Sequence, residues 1–209
     1  MGKLVRVLLV ALVAGSLASP AVAAGTRRVC LDPGHGGTDP GAVRGSLQEK
    51  NITLDVALRL RALLGAAYDV TLTRTDGATR LGNSDRAVIC NAASAEIVIS
   101  IHLNATTDAK VDYAWVFYGK RSKDLALAQT IDASYQIMNA AGTAPLAHKT
   151  ITNFANGTLL KSNAPAVLVE TLFLSNTAEQ SLLGDGTGTR QQQIAEQLHA
   201  GIVEWFRTH

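Results

Sequence analysis

The chain lacks several features that mark multidomain or membrane-spanning proteins. It has no internal repeats and no low-complexity linker, so we expect no second module. After the first two dozen residues, no apolar stretch is long enough to cross a bilayer. With 209 residues, 47% of them hydrophobic, the chain is expected to form one domain with a sizeable core.

An excess of positive charge is also missing. The chain has a formal net charge of +2, but two of its 19 basic residues, Lys3 and Arg6, lie at the N-terminus, which leaves 17 basic residues beside 17 acidic ones. Domains that bind nucleic acid usually carry a basic face or stripe. We therefore expect no nucleic acid as a partner.

Cysteine is scarce, with two residues in the whole chain. Cys30 lies within a predicted strand and Cys90 on the apolar side of a predicted helix, and their spacing does not suggest a metal site. An oxidising compartment would allow a disulfide between them. Because pairing requires a geometry that the sequence does not supply, we expect two buried free thiols.

The N-terminus has the pattern of a secretory signal. Lys3 and Arg6 give the start of the chain a positive charge, and residues 5–17 form an apolar stretch. Small residues at 21–23 form a cleavage site. About a dozen strongly apolar residues are too few to span a bilayer comfortably, so a membrane anchor is the weaker alternative. We predict a signal peptide over residues 1–23, a domain over residues 24–209 with no stable membrane anchor, and export to the periplasm or the extracellular space.

The remaining sequence alternates between strand-like and helix-like segments. We predict strands over 28–32, 69–73, 96–102, 113–118 and 166–170, and helices over 49–64, 82–93, 123–139 and 190–206. Residues 142–163 are predicted to be irregular. Runs rich in Val, Ile and Leu are typical of buried strands in a parallel sheet. The predicted fold class is therefore α/β, a single domain with a mostly parallel sheet.

Three apolar strands lead into residues that can bind or activate a metal, namely His35, His102 and Glu170. Ligands of open α/β sheets bind beyond the carboxyl ends of the strands, so we expect these three segments to converge on one site. Glu49 begins a predicted helix, where the partial positive charge favours its ionised form. Two imidazoles and one carboxylate, from His35, Glu49 and His102, match a catalytic zinc site with one position open for water.

The glycine-rich loop over residues 32–37 also suits a phosphate cradle, because its three glycines permit a sharp turn. The Lys followed by Ser or Thr that completes a P-loop is missing, and no dinucleotide fingerprint follows. We therefore expect no nucleotide cofactor.

Four motifs resemble those of a known enzyme family. They are Asp32-Pro-Gly-His-Gly-Gly, Gln48-Glu-Lys-Asn, Ser100-Ile-His-Leu-Asn and Val167-Leu-Val-Glu-Thr. In this order they are similar to the motifs of the zinc-dependent N-acetylmuramoyl-L-alanine amidases, the amidase type 3 family that includes bacterial cell-separation amidases. The resemblance covers nearly all of residues 24–209.

The resemblance implies an activity and a role for each site residue. The implied substrate is peptidoglycan, and the implied reaction hydrolyses the amide between N-acetylmuramic acid and the first L-alanine of the stem peptide. One Zn²⁺ ion would be held by His35, Glu49 and His102, and Glu170 would be the catalytic carboxylate. The implied fold is a single α/β domain with a mixed sheet flanked by helices, and we expect a monomer.

The chain departs from the family pattern in two places. Leu172 stands where the family usually has glycine, and we expect its large side chain near the base to alter substrate fit. Lys161 stands where arginine is common. Asp32 is expected to be a turn residue before Pro33, and the alternative is that its carboxylate orients His35.

Some relatives carry an additional helix that blocks the zinc site until a partner displaces it. Here residues 118–148 are filled by one helical pattern and a short loop, so we expect activity without a partner.

Two other functions remain open from the sequence. A zinc metallopeptidase that cuts within the stem peptide would share the metal chemistry. A non-catalytic wall-binding module would be expected to have lost Glu170 or a metal ligand, and none of these residues is lost.

Overall fold

The computed structural model describes residues 26–209, so the predicted signal peptide lies outside the described residues. None of the helices in the described part combines the length and the apolar character needed to cross a membrane. The elements occur in this order: β1 (Arg27–Pro33), β2 (Val43–Arg44), β3 (Leu47–Gln48), α1 (Glu49–Leu64), a 3-10 turn (Gly65–Ala67), β4 (Tyr68–Leu72), α2 (Asn83–Ala92), β5 (Ile97–Asn104), β6 (Ala114–Tyr118), α3 (Arg121–Ser134), β7 (His148–Asn153), α4 (Gly157–Lys161), β8 (Ala166–Phe173), α5 (Thr177–Leu183) and α6 (Thr189–Thr208).

Six of the strands form one sheet in the order β4-β1-β5-β8-β6-β7. The first four strands of this order are parallel to one another, and β6 is antiparallel to β8 but parallel to β7. Because β1, β5 and β8 lie side by side and run in the same direction, their carboxyl ends meet at one edge. The predicted class, a mostly parallel α/β domain flanked by helices, is confirmed.

Helices cover the two faces of the sheet unequally. One face packs on α1, α3 and α6, whose apolar positions recur with the period of a helix and form the main core with alternate residues of the strands. The other face packs on α2 and α4 in a smaller cluster that includes Val98 and Leu168. The central strands are buried on both faces, which explains why their sequences are continuously apolar.

Two predicted segments are wrong. Residues 142–163, predicted to be irregular, contain the edge strand β7 and the short helix α4. The helix predicted over 123–139 ends at Ser134, because the chain then turns so that Met138 pairs with Pro145. The sequence of β7 alternates apolar with polar residues too weakly to indicate a strand.

A bulge in β8 decides where Leu172 points. Against β5, His102 pairs with Glu170 and Asn104 pairs with Phe173, so β8 has one extra residue between the two pairs. The extra residue moves Leu172 into the main core with Val169. Leu172 is fully buried there, so the expectation that it crowds the site beside Glu170 is wrong.

The two cysteines form a disulfide, so the expectation of free thiols is wrong. The Cα atoms of Cys30 and Cys90 lie 5.5 Å apart, where β1 packs against α2 in the smaller cluster. Both residues are buried, as the sequence indicated. The short distance between Cys30 on β1 and Cys90 on α2 could not be predicted from the sequence.

We predict that this disulfide stabilises the fold. It closes a segment with a sequence separation of 60 residues. In the chain-entropy model such a cross-link contributes roughly 4 kcal/mol to the free energy of unfolding. Urea unfolding with and without a phosphine reductant should show a lower midpoint for the reduced protein, and the Cys30→Ala/Cys90→Ala variant should be insensitive to the reductant. Equal midpoints for the wild-type protein would contradict the prediction.

Candidate metal centre

The three residues predicted to bind a metal lie together at the carboxyl edge of the sheet. One donor atom from each of His35, Glu49 and His102 lies within 4.8 Å of the others. His35 Nε2 is 3.1 Å from Glu49 Oε1, and His102 Nδ1 is 3.0 Å from the same oxygen. Two nitrogen donors and one carboxylate thus face a common point, and within residues 26–209 no other such cluster occurs.

His35 is oriented by Asp39. Its Nδ1 is 2.9 Å from Asp39 Oδ2, so its Nε2 faces the cluster. Burial lowers the pKa of His35, but the hydrogen bonds and negative charges of Glu49 and Asp39 outweigh that effect and raise it to about 9. A carboxylate behind a metal-binding histidine is a common device that fixes the ring and its tautomer. The role of Asp39 was not predicted from the sequence, in which it follows His35 by four residues, just after the glycine-rich loop.

Asp32 lies within β1, so the expectation of a turn residue is wrong. Its carboxylate accepts hydrogen bonds from Thr73 Oγ1 (2.6 Å), Ser100 Oγ (2.7 Å) and Arg86 (2.8 Å), and it is fully buried. It does not contact His35. Arg86 instead links the two, because its other guanidinium nitrogen donates to the His35 carbonyl oxygen at 2.7 Å.

Glu49 is held in its ionised form at the start of α1. Its Oε2 accepts a hydrogen bond from the Ala42 N–H at 2.8 Å, and its Oε1 accepts one from the Leu103 N–H at 3.0 Å. Burial raises the pKa of Glu49, but hydrogen bonds and charge from His102 and His35 outweigh burial and hold it well below the usual range. A buried, ionised carboxylate between two imidazoles suits a divalent cation.

Two glycines allow the donors to approach this closely. A Cβ atom on Gly41, whose φ is +65°, would lie 2.5 Å from Glu49 Oε2 and 2.6 Å from His35 Cδ2. A Cβ atom on Gly34 would overlap the ring of His102. The donor set and its tight packing fit a small metal ion.

Glu170 lies beside the cluster without joining it. It pairs in register with His102 across β5 and β8, and its Oε2 is buried without a hydrogen-bond partner. Burial raises the pKa of Glu170 to about 7, although the charge of His102 opposes the shift. A carboxyl group with such a pKa can accept and release a proton near neutral pH.

His35 and His102 of the cluster line one cavity of about 330 Å³ together with Glu170, Arg86 and Phe154. A larger cavity of about 450 Å³ lies beside Trp205, at the far end of the sheet, but the cluster of His35, Glu49 and His102 does not border it. The chemistry of the lining, rather than the volume, identifies the smaller cavity as the site. A mostly parallel α/β domain with this donor set and a neighbouring carboxyl group has the make-up of a metallohydrolase.

Comparison with known proteins identifies the family. A family model of N-acetylmuramoyl-L-alanine amidases matches residues 29–204. The germination-specific N-acetylmuramoyl-L-alanine amidase of Bacillus subtilis (strain 168) is 36% identical over 195 residues, which cover 85% of this chain and 79% of that protein. The chain belongs to the N-acetylmuramoyl-L-alanine amidase family, and the predicted peptidoglycan amidase activity is confirmed.

Solved structures of relatives have the same fold. The catalytic domain of CwlV, an N-acetylmuramoyl-L-alanine amidase from Bacillus (Paenibacillus) polymyxa var. colistinus, matches with a TM-score of 0.77 at 27% identity, covering 88% of this chain and 100% of that chain. The CwlD amidase from Clostridioides difficile, solved in complex with the GerS lipoprotein, matches with a TM-score of 0.74 at 30% identity over the same shares.

We predict that Gly41→Ala prevents metal binding. The added methyl group would displace Glu49 and His35, so the purified variant should hold less than about one tenth of the metal of the wild-type protein, measured by atomic absorption. Gly45→Ala is the matched control, because Gly45 also has a positive φ of +56° but has no atom within 4 Å of its Cβ position. It should lose about 1 kcal/mol of stability and keep its metal. Equal metal contents in the two variants would contradict the prediction.

Proposed function

We propose that the amidase activity of this chain depends on one zinc ion held by His35, Glu49 and His102, with Glu170 as the catalytic carboxylate. One observation carries the proposal: three metal donors lie within 4.8 Å of one another, beside a buried carboxyl group that has an unpartnered oxygen. The bond cleaved is the amide between the lactyl group of N-acetylmuramic acid and the first L-alanine of the stem peptide.

The donor set favours zinc. Catalytic zinc sites use three protein ligands, often histidine with one carboxylate, whereas structural zinc sites are usually closed by cysteine thiolates. Both cysteines of the chain are in the disulfide and do not face the cluster. When bound, zinc supplies a Lewis acid for the scissile carbonyl group and lowers the pKa of a water molecule to about 7.

Glu170 transfers the proton. Its carboxylate accepts a proton from the attacking water while the water oxygen bonds to the lactyl carbonyl carbon. The same carboxyl group then gives the proton to the alanine nitrogen as the C–N bond breaks, so the stem peptide leaves with a free amine. Burial raises the pKa of Glu170, and a carboxyl group with a raised pKa is suited both to accept and to release a proton.

The proposed setting is outside the cytosol. Residues 1–23 act as a signal peptide, and residues 24–209 form the exported catalytic domain, which works as a monomer in the periplasm or the extracellular space. The Cys30–Cys90 disulfide supports export, because disulfides form and persist in oxidising compartments.

We predict that Glu170→Gln separates metal binding from turnover. The amide cannot accept the proton, so kcat for release of stem peptides from purified sacculi should fall by about 10² to 10⁴ while one zinc ion per chain remains. His102→Ala should lose the zinc itself. Mass spectrometry of the released fragments should show intact stem peptides that begin with a free L-alanine amine. Fragments cut within the stem, or turnover by Glu170→Gln at the wild-type rate, would refute the assignment.

The purified domain should also act without a partner. The His35 and His102 side chains remain 24% and 17% exposed. Helix α3, which lies within residues 118–148, packs in the main core and contributes no residue to the lining of the cavity. Removal of metal from residues 24–209 with a chelator should abolish hydrolysis of sacculi, and added Zn²⁺ alone should restore it. A strict requirement for a second protein would exclude this prediction.

A further inference from the structure

A row of aromatic rings continues from the catalytic cavity along the sheet. We call Trp115, Phe117 and Phe154 the aromatic ledge. The ring centroids of Trp115 and Phe117 are 4.4 Å apart, and those of Phe117 and Phe154 are 5.3 Å apart. Trp115 pairs in register with Glu170 on the neighbouring strand, and Phe154 lines the same cavity as Glu170. The ledge is therefore continuous with the site.

The ledge lies on the face of β6 and β7 that α3 leaves open. Ala114 and Val116 point towards α3 and are fully buried in the main core. Trp115 and Phe117 alternate with them, so they lie on the opposite face and remain partly exposed. Phe154 is 44% exposed, although removal of a phenyl ring from water lowers the free energy. Aromatic side chains that stay at least partly exposed beside a catalytic cavity are typical of a binding surface.

The indole ring is held in place before any ligand binds. Trp115 Nε1 donates to the carbonyl oxygen of Thr150 and to Thr152 Oγ1, both at 3.0 Å. The Lys149 ammonium lies 5.9 Å from the Trp115 ring centroid. Because the polar edge of the indole is satisfied and its orientation is fixed, little conformational entropy is lost when a ligand stacks on the ring.

From these observations we infer that the aromatic ledge binds the pyranose rings of the glycan strand. This inference rests on the proposed function and identifies the side of the site on which the sugar lies. A pyranose ring has an apolar C–H face and a rim of hydroxyl groups, which match aromatic faces bordered by groups that can form hydrogen bonds. Thr152 adjoins the ledge, and Asn83 and Asn156 share the cavity with Phe154.

A peptide fits this surface less well than a sugar. A peptide brings a backbone whose N–H and C=O groups need partners. The facing groups of β6 and β7 already pair with each other, and the backbone groups on the free edge of β7 point along the plane of the sheet rather than towards the ring faces of the ledge. The ledge offers ring faces to a ligand, and sugar C–H groups need no hydrogen-bond partners. The scissile amide joins the sugar part of the substrate to its peptide part. Because the ledge lies on one side of Glu170, it binds one of these two parts.

Kinetics on two soluble substrates test the inference. One substrate is a tetrasaccharide of alternating N-acetylglucosamine and N-acetylmuramic acid that carries stem peptides, and the other is the lactyl stem peptide without sugar. Phe154→Ala should lower the ratio of kcat/KM for the first substrate to that for the second by about tenfold, through KM, as expected for loss of one aromatic contact. Phe154→Tyr should restore the ratio.

The control variant for the kinetics is Met138→Ala. Met138 is 41% exposed, similar to Phe154, but lies in the loop after α3, and its replacement should leave the ratio unchanged. If Phe154→Ala lowers both rates equally, or lowers neither, the ledge does not bind the glycan. If the wild-type protein hydrolyses neither substrate, the proposed function fails.

A binding measurement tests whether the ledge binds glycan even if the wild-type protein hydrolyses neither substrate. The chain has two tryptophans, so Trp205→Phe leaves Trp115 as the emitting indole. The peptide-free tetrasaccharide should change the Trp115 emission in a saturable way, and adding Phe154→Ala should weaken its binding about tenfold. A change produced by free stem peptide and not by the tetrasaccharide would overturn the inference in favour of a peptide site.

Discussion

The buried ion pair between Asp32 and Arg86 fixes the end of β1, from which the rest of the site is built. The two side chains are 0% and 4% exposed, and each makes further bonds that reach beyond the pair. Asp32 accepts hydrogen bonds from Thr73 after β4 and from Ser100 on β5, so the ends of three neighbouring strands are tied to one carboxylate. Removal of one partner from such a pair typically costs 3–5 kcal/mol, because a charge is left buried alone.

Arginines hold the glycine-rich loop through its backbone. Arg86 donates to the carbonyl oxygens of Pro33 and His35, and Arg74 donates to those of Pro33 and Gly34. A loop with this many glycines has high conformational freedom when unfolded, so it needs fixed partners to present one geometry. The geometry of the candidate metal centre is therefore fixed by buried groups that bind its backbone as well as its side chains.

Much of this arrangement could be predicted from the sequence, and the failures have physical reasons. Helix α1 was predicted with its observed bounds because its apolar positions follow the helical period, and the buried strands were found because they are continuously apolar. Strand β7 was missed because it lies at the edge of the sheet and carries exposed polar residues. Helix α4 has five residues, too few for a periodic pattern.

The site shows the same division between local pattern and tertiary contact. The convergence of His35, His102 and Glu170 follows from the rule that parallel strands end at one edge. Glu49 was predicted from its place at the start of a helix and from the donor set of catalytic zinc sites, and the family resemblance supported it. Asp39 could not be assigned, because its contact with His35 depends on the path of a glycine-rich turn. The bulge in β8 could not be predicted either, because it is defined by the pairing of β8 with β5. Deletion of one residue between Glu170 and Phe173 would turn every following side chain of β8 to the opposite face of the sheet. The number of residues in this segment is therefore constrained more strictly than their identity.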